Sequence, residues 1–135
     1  MEKKLSLFVN KLQLISMKIQ MFHWNVTGKD FLSYHAFFDE AYKELSSFKD
    51  SIAEFLRYKK LPAILDFNEI ATLSKGFKLP SNAFEMLKET LALYKALEKD
   101  LLSMEKGGAL EVITSEMLAK INKKIFFVQS IIENY

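Results

Sequence analysis

Phe22-His23-Trp24-Asn25-Val26-Thr27-Gly28, followed by Phe31-Leu32-Ser33-Tyr34-His35 and then Asp39, holds both histidines of the chain and its only tryptophan. It reads as the end of one helix, a short link and the start of the next. Upstream, apolar residues fall at Leu5, Phe8, Val9, Leu12, Ile15, Ile19, Phe22 and Val26. That three-four spacing belongs to a helix with one buried stripe, and His23 lies on it. The stripe stops near Thr27-Gly28, where glycine tolerates the left-handed conformation that closes a helix.

Downstream, a second helix restarts around Phe31 to Ser33 and runs to about Lys59 or Lys60. Tyr34, Phe38, Ala41, Tyr42, Leu45, Phe48, Ile52, Phe55 and Leu56 give it a broad apolar face. Pro62 ends it, since proline lacks an amide donor and disfavours helix just before itself. The short link makes the first two helices antiparallel neighbours.

Leu61 to Pro80 is a long connection in which Asp66 to Leu73 has the pattern of two helical turns that pack. Ser81 or Asn82 then caps a third helix, with Glu85 in capping-box position after Asn82. Its core stripe is Leu87, Leu91, Tyr94 and Leu97, with Ala83 and Leu101 nearby. Gly107-Gly108 breaks it, and a fourth helix, roughly Leu110 to Glu133, carries Val112, Ile113, Met117, Leu118, Ile121, Ile125, Val128 and Ile132. Two short links and one long crossover among four helices predict an all-α four-helix bundle of ferritin-like connectivity, with a short extra helix in the crossover.

Composition agrees. The 135 residues are enough for one domain with a real core, so a single domain over 1–135 is expected. Four glycines and two prolines leave few breaks, which favours long helices. There are no cysteines, which excludes disulfides, thiolate metal sites and cysteine nucleophiles and fits a reducing cytoplasm. No unbroken apolar leader and no run approaching eighteen apolar residues is present, so neither signal peptide nor membrane span is expected. The net charge of +2 is too near balance to advertise nucleic-acid binding.

Chemistry concentrates on the second helix. With His35 at zero on a wheel of about 100° per residue, Asp39 falls near ~40°, Asp50 near ~60° and Glu54 near ~100°. All four share one band beside the apolar stripe. Asp39 and Asp50 are nevertheless about 16 Å apart along the axis at ~1.5 Å per residue. One ion needs its ligands within roughly 2.0–2.6 Å, so these two cannot serve the same ion within one chain. His23 lies about as far before the link as His35 lies after it, so antiparallel pairing brings the histidines level. One chain thus offers two half-sites, His23 with His35 and Asp39, and Asp50 with Glu54. A symmetric dimer would bring the first half-site of one subunit onto the second of its mate.

The run His23-Trp24-Asn25-Val26-Thr27-Gly28 with Phe31, His35, Asp39, Asp50 and Glu54 resembles the Dps family of mini-ferritins, closely over the first two helices and more loosely over the rest. The resemblance implies a hollow dodecamer, built from two-fold dimers, that oxidises Fe²⁺ at an intersubunit ferroxidase centre. It further implies that the cage stores ferric iron and protects against oxidative stress in the cytoplasm. By position, Asp50 and Glu54 come from one subunit and His23, His35 and Asp39 from the other. In that arrangement Asp50, Glu54 and His23 hold the tighter iron, and His35 and Asp39 support a second iron or an ordered water. Hydrogen peroxide is the oxidant preferred in the family, and Zn²⁺ or Mn²⁺ also suits such ligands. The resemblance also places Trp24 where it can intercept a stray oxidising equivalent, and Glu111 and Glu116 near an iron-entry pore.

Two features of related proteins are missing, the Glu-x-x-His pair of ordinary ferritin-like bundles and the lysine-rich tail of many Dps proteins. There is no Glu-x-x-His pair, since Leu32 and Gln20 stand three residues before His35 and His23, which argues against a centre within one subunit. Only Lys3 and Lys4 precede the first helix and no basic extension follows it to Tyr135, so tail-mediated DNA binding is not expected. The competing reading of function is a DNA-binding protective cage with little iron chemistry. Taken residue by residue, His23 reads as a hydrogen-bonded core histidine, Asp50 and Glu54 as a solvated helix face, and Trp24 as a core or interface anchor.

Overall fold

The structure, a computed structural model, describes residues 1–133; Tyr135, where the sequence shows no basic extension, lies outside them. Its helices are α1 (Glu2–Asn25), α2 (Phe31–Tyr58), α3 (Phe67–Leu73), α4 (Ala83–Leu102) and α5 (Gly108–Ile132), with no strand among the described residues. Contacts within the chain separate into two compact units, Met1–Leu79 and the part from Pro80 onward.

In the first unit α1 and α2 pack along their length. The expected stripes supply buried side chains: Leu5, Phe8, Leu12, Ile15, Ile19 and Phe22 from α1, and Phe38, Ala41, Leu45, Phe48, Ile52 and Phe55 from α2. Burying each large apolar side chain is worth about 1.5–3 kcal/mol. Phe22 and Phe38 meet edge to face, with centroids 5.7 Å apart. Polar contacts fix the antiparallel register. Ser16 Oγ donates to the Tyr42 carbonyl at 3.2 Å and lies 3.0 Å from Ser46 Oγ, while Lys49 Nζ donates to Gln13 Oε1 at 2.7 Å.

Both helices end for visible reasons. Extended Val26, at φ −63° and ψ 141°, stops α1 while its amide donates to the Phe22 carbonyl, and Gly28 turns the link at φ 111°. At the far end of α2, Lys60 takes φ 60°. The Leu61 amide donates back to Leu56 and that of Lys60 to Arg57, each at 2.9 Å, a Schellman closure completed by Pro62.

The crossover is held differently. Asp66 caps α3 by accepting from the Glu69 amide at 3.0 Å. No residue of α3 is buried. Its attachment runs through Asn10 of α1, which is itself 2% exposed. Asn10 Nδ2 donates to Glu69 Oε1 at 2.8 Å and to the Ser6 carbonyl at 3.0 Å, and Asn10 Oδ1 accepts from the Asp66 amide at 2.9 Å. The expected packing of this segment is therefore polar.

In the second unit Asn82, one of the two caps expected, accepts from the Glu85 amide at 2.9 Å and starts α4. Gly107 and Gly108, at φ 102° and 63°, make the turn into α5. Leu87, Tyr94, Leu97 and Leu101 of α4 are buried, as are Met117, Ile121, Ile125 and Val128 of α5. Val112 departs from its expected core place and is 60% exposed. At about 100° per residue it falls on the face of α5 opposite the buried Leu110, Thr114 and Ile121.

Candidate metal centre

His23 sits in the last turn of α1, where carbonyls have no amide of their own helix to accept from. His35 sits just inside α2. Antiparallel pairing sets them side by side, and each Nδ1 lies against the other's backbone carbonyl, 2.8 Å from His23 Nδ1 to the His35 oxygen and 2.7 Å from His35 Nδ1 to the His23 oxygen. A carbonyl can only accept, so both Nδ1 atoms carry hydrogen, and in the neutral rings the lone pair is left on Nε2. This is how a protein commonly readies histidine for a metal, with the second nitrogen fixed by a backbone acceptor. The rings stack with centroids 3.9 Å apart and an 18° tilt. Phe31 stacks on His35 at 4.8 Å, and Tyr42 flanks His23 at 5.7 Å. The level placement read from the sequence is thus realised, with an interlock that spacing does not reveal.

Asp39, one turn beyond His35, faces the same place. Its Oδ1 is 3.6 Å from His23 Nε2, too long for a hydrogen bond. Two donors each about 2.0–2.2 Å from one shared ion stand at about this separation. Its Oδ2 accepts from Lys43 Nζ at 3.0 Å. The hydrogen bond from Lys43 lowers the Asp39 pKa, aided by the charges of Lys43, His23 and His35 and opposed by partial burial. The same bond raises the pKa of Lys43. Lys43 is absent from the sequence reading, although its spacing of four from Asp39 is that of a helical ion pair.

Asp50 and Glu54 lie one turn apart further along α2, both exposed. Asp50 borders a hollow of about 260 Å³ lined also by Val9, Lys49, Ala53, Ala63, Ile64 and Leu65. The structure therefore sets His23 beside both His35 and Asp39 and leaves Asp50 and Glu54 apart from them. Among the described residues no three His, Asp or Glu side chains form a metal-holding group within the chain. Trp24 is 62% exposed, which removes it from the core of the single chain. No helix among the described residues is long and apolar enough to cross a membrane.

The profile of the ferritin-like domain matches residues 2–135. A "DNA protection during starvation protein" of Helicobacter pylori is 29% identical over 126 residues, 87% of this chain and 88% of the relative. The crystal structure of Dps from Staphylococcus aureus superposes with a TM-score of 0.84 at 22% identity, covering 96% of this chain and 93% of that one. A Dps structure from Vibrio cholerae O1, described as a member of a broad superfamily of ferritin-like diiron-carboxylate proteins, gives 0.85 at 19% identity over 95% of this chain and 86% of that one. The chain belongs to the ferritin-like family, in its Dps branch, and has the all-α ferritin-like four-helix-bundle fold expected from its sequence.

Proposed function

We propose that this chain is a mini-ferritin subunit that binds Fe²⁺ as substrate, oxidises it and stores the ferric product in a hollow homo-oligomer, with Fe²⁺ oxidation taking place at centres shared between two copies. The observation that carries this reading is the division of candidate ligands. His23 Nε2, freed by the interlock with the stacked His35, lies 3.6 Å from Asp39 Oδ1, whereas Asp50 and Glu54 stand exposed too far along α2 to join them. A second copy, related by two-fold symmetry, would place its Asp50 and Glu54 against the histidine half-site. The Vibrio cholerae relative's description as a diiron-carboxylate protein supports iron over zinc or manganese.

In this reading each of two Fe²⁺ ions gives up one electron. Hydrogen peroxide takes both electrons and, with two protons, leaves as two waters. Hard carboxylate oxygens favour the ferric product, and the preset imidazoles fix where the ions sit. The assembly is a dodecamer of two-fold dimers in the cytoplasm, and its benefit is removal of iron and peroxide together. The chain as a whole is one functional domain, and Glu111 and Glu116 line its iron entry.

The test is anaerobic Fe²⁺ addition followed by peroxide, reading ferric absorbance and peroxide consumed, with sizing before and after. Fast oxidation by a large assembly, lost in His23→Ala combined with Asp50→Ala, is the expected result. Oxidation no faster than buffer by an intact assembly would overturn the proposal. A salt-sensitive gel shift in that case would favour a DNA-protecting cage.

A further inference from the structure

We propose that Lys43 is a resident counter-ion of the histidine half-site, whose ammonium occupies Asp39 without metal and must be displaced when a divalent cation binds there. The inference rests on the shared-centre reading above and concerns what sets the affinity of one of its two positions.

The two oxygens of Asp39 have different occupants. Oδ1 looks across 3.6 Å at His23 Nε2, and Oδ2 is bonded to Lys43 Nζ at 3.0 Å. The other candidate carboxylates differ: among the described residues neither Asp50 nor Glu54 has a lysine or arginine partner. The half-sites are therefore unequal before any cation arrives. One presents an uncompensated pair of carboxylates, and the other presents a carboxylate already neutralised from its own helix.

Lys43 suits this role in three ways. It stands four residues after Asp39, so the backbone of α2 holds the pair in register. Its side chain is 63% exposed, so the ammonium can withdraw into water on its flexible stem without opening the core. An ammonium left beside a bound divalent ion would meet a like charge at short range, which makes displacement and binding one exchange. Binding at Asp39 is weakened by the need to break that pair, while Asp50 and Glu54 bear no such cost.

The experiment uses the assembled protein and Co²⁺ alone, followed by its visible absorption, so that no oxidation chemistry enters. Wild type is expected to show a tighter and a weaker binding event. Lys43→Met, which keeps length and removes charge, is expected to tighten the weaker event by about three- to ten-fold and leave the tighter one unchanged. Lys43→Arg, which keeps the charge, should leave both unchanged. Asp39→Asn should remove the weaker event with either residue at position 43. An unaltered weaker event in Lys43→Met, still removed by Asp39→Asn, would overturn the role of Lys43 and leave the shared centre standing. No saturable Co²⁺ binding by an intact wild-type assembly would overturn the shared centre itself, and the role of Lys43 with it.

Discussion

His23 and His35 each hold the other's ring, Nδ1 to backbone carbonyl, at 2.8 and 2.7 Å across the α1–α2 link. Substituting His35 by alanine keeps the carbonyl that accepts from His23 Nδ1 but removes the ring stacked on His23 at 3.9 Å and the donor to the His23 carbonyl. His35→Ala should therefore weaken Co²⁺ binding that depends on His23. The double variant should lose less than the two single losses combined, with a coupling of about 0.5–3 kcal/mol. Nitrogen NMR of the metal-free protein should find both neutral rings protonated at Nδ1. Additive losses, or protons at Nε2, would contradict the interlock.

Asp39 should titrate below the ordinary carboxylate range, because Lys43 favours its ionised form. A folded-state pKa below the unfolded one stabilises the fold at neutral pH. That contribution is lost as pH falls from the ordinary carboxylate value through the lowered one. Carboxyl NMR on wild type and Lys43→Met checks this, and the variant's Asp39 should move back up. Identical curves would show that Lys43 leaves the carboxylate untouched.

Asn10→Leu should destabilise the first unit by about 1–3 kcal/mol, because it strands the Asp66 amide and the Glu69 carboxylate. Hydrogen exchange should rise at 66–70 while the interior of α1 and α2 stays protected. Unchanged exchange there would mean that something other than Asn10 seats the crossover.

Lys60→Gly should be neutral to stabilising, by up to about 1 kcal/mol. A left-handed backbone costs a residue with a Cβ about 1–2 kcal/mol, partly offset by the greater chain entropy of glycine when unfolded. Lys60→Val should lose stability at the same position. Urea melts of the two variants decide the matter, and a clear loss in Lys60→Gly would contradict it.

Much of this was legible because helix period and helix ends are local properties. The stripe from Leu5 to Phe22, the stop at Pro62, the Asn82 cap and the Gly107-Gly108 break all depend on near neighbours. The level histidines were legible too, since only their distances from the link were needed. What escaped depends on rotamers and neighbours. No spacing says that Nδ1 of one ring points at the other's carbonyl. Asp39 and Lys43 form an i, i+4 pair like many on solvated faces, so nothing in the sequence marks it as part of a site. Val112 and Trp24 sit at positions apolar by type that the chain leaves exposed. The crossover helix was expected to pack, and no spacing shows that the buried Asn10 amide holds it while no residue of α3 is itself buried.

That anchoring makes three distant positions one heritable unit. Residues 10 and 66 are 56 apart in sequence, yet the amide at the first bonds the backbone at the second and the carboxylate at Glu69 as well as its own helix at Ser6. A crossover grafted from a relative will seat on this α1 only if it brings a hydrogen-bond acceptor at 69, and a graft of α1 will accept this crossover only if it carries asparagine at 10. Chimeras should therefore be cut so that these three positions travel together, even where the cut divides a helix that looks interchangeable.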